Sequence, residues 1–333
     1  MPEPVLEIDG VSKHFALRRA PLAALAGKPR RRVQAVADVE FAIGTRECFG
    51  LVGESGCGKS TLARLALGLL RPDAGHIRFQ GEDIGALSGH GLRALRRGAQ
   101  MVFQDPYASL NPRMTVGAAI AEPLAWHKVV PPADVKAETR RLLSEVGLGP
   151  ETASRYPREL SGGQRQRVGI ARSLAVRPAL LVADEAVSAL DVSVRAQVLN
   201  LLADLGERRG LSMLFISHDL GVIAYLCARV GVMYLGHLVE SGPVAEVFRA
   251  PAHPYTRALI GAIPKPDPAA PHPARPLEGE PPSAAAVPEG CPFRTRCPSA
   301  RSICMTMPPR IDFGAGHWAA CHFATEIRNQ GAI

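Results

Sequence analysis

The chain has 333 residues, 47% of them hydrophobic and 21% charged, with a mean hydropathy close to zero. This is the composition of a globular protein with a sizeable core, and it excludes collagen, coiled coil and general disorder. Lys plus Arg outnumber Asp plus Glu by 39 to 31, a net charge of +8 that suits polyanionic partners such as nucleotides, nucleic acid or anionic membrane.

Pro2, Glu3 and Pro4 open the chain without the basic and apolar regions of a secretory signal, so a cytoplasmic location is expected. Charges interrupt every apolar stretch, and even 313–325 is too short and too polar to cross a bilayer. Arg18, Arg19, Lys28, Arg30, Arg31 and Arg32 lie in a stretch, 16–35, without interleaved aromatics; it reads as solvated surface, and no function is assigned to it. From Pro4 to about Ala250, short β-branched runs alternate with Leu/Ala/Arg-rich helical patterns, the rhythm of an α/β domain with a largely parallel sheet.

The apolar run Cys48–Val52 leads into Gly53-Glu54-Ser55-Gly56-Cys57-Gly58-Lys59-Ser60-Thr61, and a helical pattern follows from Leu62. Strand, GxxxxGK[ST] loop and helix form the phosphate-binding context: glycines let backbone N–H groups close on the anion, Lys59 adds a point charge, and the Ser60 hydroxyl is a magnesium ligand. Cys57 fills a variable position. Further on, Ser161-Gly162-Gly163-Gln164 precedes a helical run through Val168, Ala171 and Leu174, which puts a second anion-binding surface at a helix N-terminus. One nucleotide does not need two phosphate cradles.

The run Ala179–Ala183 reads as a buried strand that delivers Asp184 and Glu185 to the carboxyl edge of a sheet, where ligand sites belong. Asp184 is placed for the magnesium shell and Glu185 for a water in line with the γ-phosphate. Asp191 is a plausible N-cap for the helix through Leu199, Leu202 and Leu205. Between Ile263 and Pro288 eight further prolines preclude helix or central strand, so 263–288 reads as a linker. Segment 289–333 then carries Cys291, Cys297, Cys304 and Cys321 and is too small to fold on a core of its own unless stapled. In a reducing compartment four thiols point to metal ligation, and the residues alone favour zinc, with free thiols as the alternative.

With the run Leu160–Gln164 (LSGGQ) in place, the chain resembles the ATP-binding subunits of ABC transporters, where this segment of one subunit covers the γ-phosphate held by the other. The resemblance implies an α/β, P-loop ABC-type nucleotide-binding domain over 1–262 with an inserted helical subdomain at about 105–165, acting as an obligate pair with two ATP molecules between them. It further implies adenine stacking by Phe15, with a core-facing strand position as the alternative. Gln104 would be the glutamine that reaches magnesium and the attacking water, Asp191 part of the loop that crosses the dimer interface, and His218 the switch histidine on the γ-phosphate.

The runs Phe103–Gly117, Asp184–Val194 and His253–Leu259 are similar to the oligopeptide/dipeptide importer branch, specifically its second ATPase subunit. Ala186 stands where many ABC ATPases carry proline. The branch implies a different ATPase chain as partner, two membrane permease subunits, an extracytoplasmic binding protein, and a peripheral place on the cytoplasmic face of the inner membrane. Nickel and glutathione are alternative cargoes. Members of the branch carry an iron–sulfur cluster on similar cysteines, so a four-iron cluster is expected on Cys291, Cys297, Cys304 and Cys321, with zinc as the alternative. A DNA-acting ABC ATPase would need long heptad stretches that are absent here, so no nucleic-acid partner is expected. A non-catalytic regulatory subunit is disfavoured because Lys59, Gln104, Asp184, Glu185 and His218 are all present.

Overall fold

The computed structural model describes residues 3–16, 32–105, 110–263 and 279–331. The arginine-rich residues 18–31 and most of the proline-rich linker lie outside them. The chain forms two compact units, one of Met1–Glu7, Ala42–Cys48 and Arg78–Ile216, the other of Ile8–Phe41, Phe49–Ile77 and Ser217–Ile333. Strands β1 (Leu6–Ala16), β2 (Arg32–Ile43), β3 (Cys48–Val52) and β4 (Ala74–Phe79) each contribute residues to both.

In the first unit the short β5 (Glu82–Asp83) pairs antiparallel with the end of β4. Strands β6 (Ala99–Val102), β7 (Leu180–Asp184) and β8 (Ser212–Ile216) run parallel in that order, with Ala99 opposite Leu180 and Leu180 opposite Ser212. Every residue of β7 and β8 is buried, which is why both are apolar runs and not alternating ones. Parallel neighbours need helical crossovers. The helix Val192–Arg209 supplies the one from β7 to β8; it buries Val198, Leu199, Leu202 and Leu205 along one stripe and stops where Gly210 turns left-handed.

The longer crossover from β6 to β7 contains the helices Val116–Trp126, Val135–Glu145 and Gly162–Leu174. Thr115 caps the first through a bond from the Ala118 N–H. Glu145 accepts from Nε and Nη2 of Arg209, each at 2.6 Å, and a further bond from Arg141 at 3.0 Å, so this crossover is tied to the next one by charge-assisted bonds. The Arg209 bonds, chiefly, hold the Glu145 carboxyl below its usual pKa.

In the second unit β3 pairs parallel with β9 (Arg229–Tyr234), and β9 turns back through Leu235 and Gly236, both at positive φ, into antiparallel β10 (His237–Pro243). Strands β11 (Arg310–Asp312) and β12 (Trp318–Ala320) pair with each other, and β12 pairs with β10. The cysteine-rich segment therefore does not depend on a core of its own. It extends an existing hairpin, and Ala252 packs with Ala319, Cys321, Ala324 and Ile327 beneath it.

A buried carboxylate fixes that join. Glu240, fully buried on β10, accepts the backbone N–H of Ala252 at 2.8 Å and of His253 at 2.9 Å, and lies 2.8 Å from Nε2 of His317. Three partners satisfy a charge that would be costly alone.

Candidate functional site

In the second unit, β3 ends at Val52 and the helix Lys59–Ala66 begins within seven residues, so Gly53–Gly58 must reverse the chain tightly. Gly53 and Gly58 make this possible: a Cβ would stand 2.1 Å from the Met233 carbonyl oxygen at Gly53 and 2.0 Å from that of Ala35 at Gly58. Gly58 also has φ 112°, open in practice only to glycine. Lys59 is 5% exposed, and its ammonium donates to the carbonyls of Gly53 at 2.7 Å and Glu54 at 2.9 Å, folding back over the loop it belongs to. Its charge also draws on the Cys57 thiol, which burial nevertheless pushes above its ordinary pKa. Ser55, Gly56 and Ser60 are exposed and Thr61 is half-buried, so the polar mouth of the loop faces outward.

In the first unit, β7 delivers Asp184, 8% exposed, and Glu185 follows in the left-handed region at φ 47°. That conformation is costly for a residue with a side chain and is held by three bonds. The Glu185 N–H donates to the Ile216 carbonyl at 3.0 Å, and its own carbonyl accepts from the N–H and hydroxyl of Ser188 at 3.1 and 2.9 Å. The carboxylate accepts from Nε2 of Gln104 at 3.0 Å, so two residues 81 positions apart form one polar pair.

Ser161 caps the helix Gly162–Leu174 in a reciprocal box: its hydroxyl accepts from the Gln164 N–H at 3.3 Å while the Gln164 amide oxygen accepts from the Ser161 N–H at 3.0 Å. Gln166, 2% exposed, and Ser173 reach back to the carbonyls of Phe103 and Met101, anchoring this helix beside the strand that leads to Gln104.

Other expected residues fall differently. Phe15 is 39% exposed at the end of β1, with the Lys13 ammonium 5.9 Å from its ring centre, so the core-facing alternative does not hold. Asp191 occupies the cap position before Val192, but its side chain is exposed and makes no capping bond. His218 is exposed two residues after β8, just before the helix Leu220–Leu226 that Asp219 caps.

Among the described residues no three His, Cys, Asp or Glu side chains are gathered closely enough to hold a metal ion, the thiols of Cys291, Cys297, Cys304 and Cys321 included. The Cys291 N–H bonds the Cys304 carbonyl at 3.0 Å, which ties backbones and not sulfurs. Burial pushes the thiols of Cys297 and Cys321 up, to about 11 and about 12, and as neutral groups they pack like small apolar side chains.

Two contacts to the phosphate loop carry no signal in sequence spacing. The Glu54 N–H donates to the hydroxyl of Tyr255 at 2.8 Å, and the Glu54 carboxylate receives both guanidinium arms of Arg296, at 2.7 and 3.0 Å. Tyr255 packs on Phe293 with centroids 5.4 Å apart. Phe293 is 1% exposed, and burying it contributes about 1.5–3 kcal/mol to keeping this corner folded.

A parallel α/β arrangement with a glycine loop between strand and helix, and with a paired glutamine and glutamate beyond a buried aspartate, defines a P-loop nucleotide-binding protein. Residues 36–188 match the ABC transporter family, and residues 239–304 match the C-terminal region of oligopeptide/dipeptide transporters. A protein of Sinorhizobium fredii named "Probable peptide ABC transporter ATP-binding protein y4tS" is 49% identical over 97% of this chain and 90% of its own length. The oligopeptide transport ATP-binding protein AppF of Bacillus subtilis is 46% identical over 96% of this chain and 97% of its own. Among solved structures, the ATP-binding cassette MJ0796, a dimer in a post-hydrolysis state with ADP and Pi bound, superposes with a TM-score of 0.63 at 25% identity, over 72% of this chain and 98% of that one. The chain belongs to the ABC transporter ATP-binding proteins, in the oligopeptide/dipeptide branch.

Proposed function

We propose that this chain is the ATP-hydrolysing subunit of a peptide-importing ABC transporter. It would act on the cytoplasmic face of the inner membrane with a second, different ATPase chain, two permease subunits and an extracytoplasmic binding protein. The names of its relatives support the cargo class. No helix among the described residues is long and apolar enough to cross a membrane, which is consistent with a motor that attaches to separate permeases.

The observation that carries the chemistry is the Gln104–Glu185 pair. Phosphoryl transfer to water asks the protein to place the water and neutralise the phosphate oxygens. Glu185 accepts a proton from the attacking water, and Gln104 holds that carboxylate in place. Lys59 exchanges the carbonyls of Gly53 and Glu54 for phosphate oxygens, and the backbone N–H groups of Gly53–Thr61 close around the anion. Ser60, Asp184 and Gln104 offer the oxygen donors that suit magnesium, which when bound neutralises charge between the phosphates. Phe15 stacks on adenine and His218 contacts the γ-phosphate. Ser161, Gly162, Gly163, Gln164 and Asp191 act on the nucleotide of the second subunit.

A four-iron cluster on the tail cysteines, with zinc as the alternative, would be a staple outside this chemistry and would require the four sulfurs to close up around it. The support is the match of residues 239–304, which include Cys291, Cys297 and Cys304, to the C-terminal region of oligopeptide/dipeptide transporters. Iron, acid-labile sulfide and zinc analysis of anaerobically purified protein tests it, and four freely alkylated thiols would overturn it.

The functional reading is tested by uptake of labelled dipeptides, longer peptides and nickel in cells carrying this protein or its Glu185→Gln form. Loss of peptide uptake alone in the variant supports the proposal. Unchanged peptide uptake overturns the cargo, and loss of nickel uptake alone replaces it.

A further inference from the structure

Arg296 lies in the turn Cys291–Cys297 of the tail, far in sequence from any nucleotide motif, yet its side chain is only 5% exposed and its guanidinium faces the phosphate loop. Its two arms meet the two carboxylate oxygens of Glu54, the residue after Gly53, in the parallel geometry that makes such pairs strong. Every polar group of Glu54 is thereby held: its N–H by Tyr255, its carbonyl by Lys59 and its carboxylate by Arg296. Tyr234 sits under the Arg296 guanidinium, 6.0 Å from ring centre to charge, and packs edge-on against Phe293 at 5.1 Å. Phe293 also touches Tyr255, so the same short turn grips the loop both by charge and by packing.

The charge matters because of where it is. A carboxylate within a loop that receives a polyphosphate repels the ligand unless a cation cancels it. We infer that Arg296 is a positioning residue for the nucleotide, cancelling and fixing the Glu54 charge so that the cysteine-rich tail is a working part of the ATP-binding apparatus. This rests on the reading of Gly53–Thr61 as the ATP loop. Tail and loop are then linked, and whatever displaces the Cys291–Cys297 turn weakens nucleotide binding without touching the loop itself.

The test is the Kd of the full-length chain for Mg-ATP, by calorimetry, at low and high salt. Arg296→Ala is expected to raise Kd on the order of tenfold at low salt, the effect of one uncancelled charge at close range, and by less as salt screens it. Adding Glu54→Gln to that variant is expected to bring Kd back to within about threefold of the wild type, because the repulsion disappears with the carboxylate. Arg296→Lys, which keeps the charge and loses the fork, is expected to fall between wild type and Arg296→Ala. A simple clamp behaves differently: the double variant would then bind no better than Arg296→Ala. That result, or an Arg296→Ala chain that binds as the wild type does, overturns the inference. A wild-type chain that binds no ATP would instead strike down the loop assignment.

Discussion

Replacing Glu185 with Gln separates charge from placement at the paired site. The backbone of residue 185 stays where it is, since its N–H bond to Ile216 and its carbonyl bonds from Ser188 do not involve the side chain. The new amide oxygen still accepts from Gln104 at the position of the present 3.0 Å bond. What disappears is a proton acceptor, which is worth about 100- to 10,000-fold in rate, or about 3–5 kcal/mol of barrier. Phosphate release by the reconstituted transporter should fall by that factor, with the Kd for ATP unchanged within about twofold. Gln104→Ala removes one bond to the half-buried Glu185 side chain, worth about 1 kcal/mol, so a fall of at least about fivefold is expected, and more as its contact with magnesium is lost too. In the double variant the rate should fall below that of Glu185→Gln only by what Gln104 contributes as a magnesium ligand, because its hold on the carboxylate no longer counts. A Glu185→Gln protein turning over within tenfold of wild type would refute the assigned role.

Glu240→Ala strands two backbone N–H groups and His317 in the buried join of β10 and β12; a loss of about 3–5 kcal/mol is expected in urea unfolding, and less than about 1 kcal/mol would deny Glu240 that part. His253 is depressed to about 3 by burial, so it stays neutral in the folded chain while the unfolded chain takes up a proton. Its stabilising effect is therefore full above about pH 6.5 and is lost on acidification towards pH 3, by up to about 1.4 kcal/mol per unit. His253→Asn, which can still accept from the Tyr255 N–H, should flatten the fall of Tm between about pH 7 and 5, and an unaltered slope would contradict the assignment. At Gly163 an added Cβ would lie 2.2 Å from Cγ1 of Val194, so Gly163→Ala should displace the capped end of its helix and slow phosphate release. Val194→Ala should restore the rate by making room, and failure of that rescue would point away from the clash.

The motifs that lie in contiguous residues were legible without the fold. Gly53–Thr61 between an apolar strand and a helix, Ser161–Gln164 ahead of a helix, and Asp184–Glu185 at a strand end each need only local backbone geometry, which a few adjacent side chains dictate. Spacing alone misjudged Asp191, whose side chain makes no cap, and left Phe15 between core and surface. It also read the tail as too small to fold unless stapled, because a short segment cannot reveal that a hairpin elsewhere will offer it an edge. Register and strand order had to be seen: β12 alongside β10, Glu240 beneath them, and Tyr255 and Arg296 brought 201 and 242 positions back to Glu54. Those pairings carry no local signature, since an arginine and a glutamate are ordinary surface residues until the fold removes the water between them and makes each the other's counter-charge.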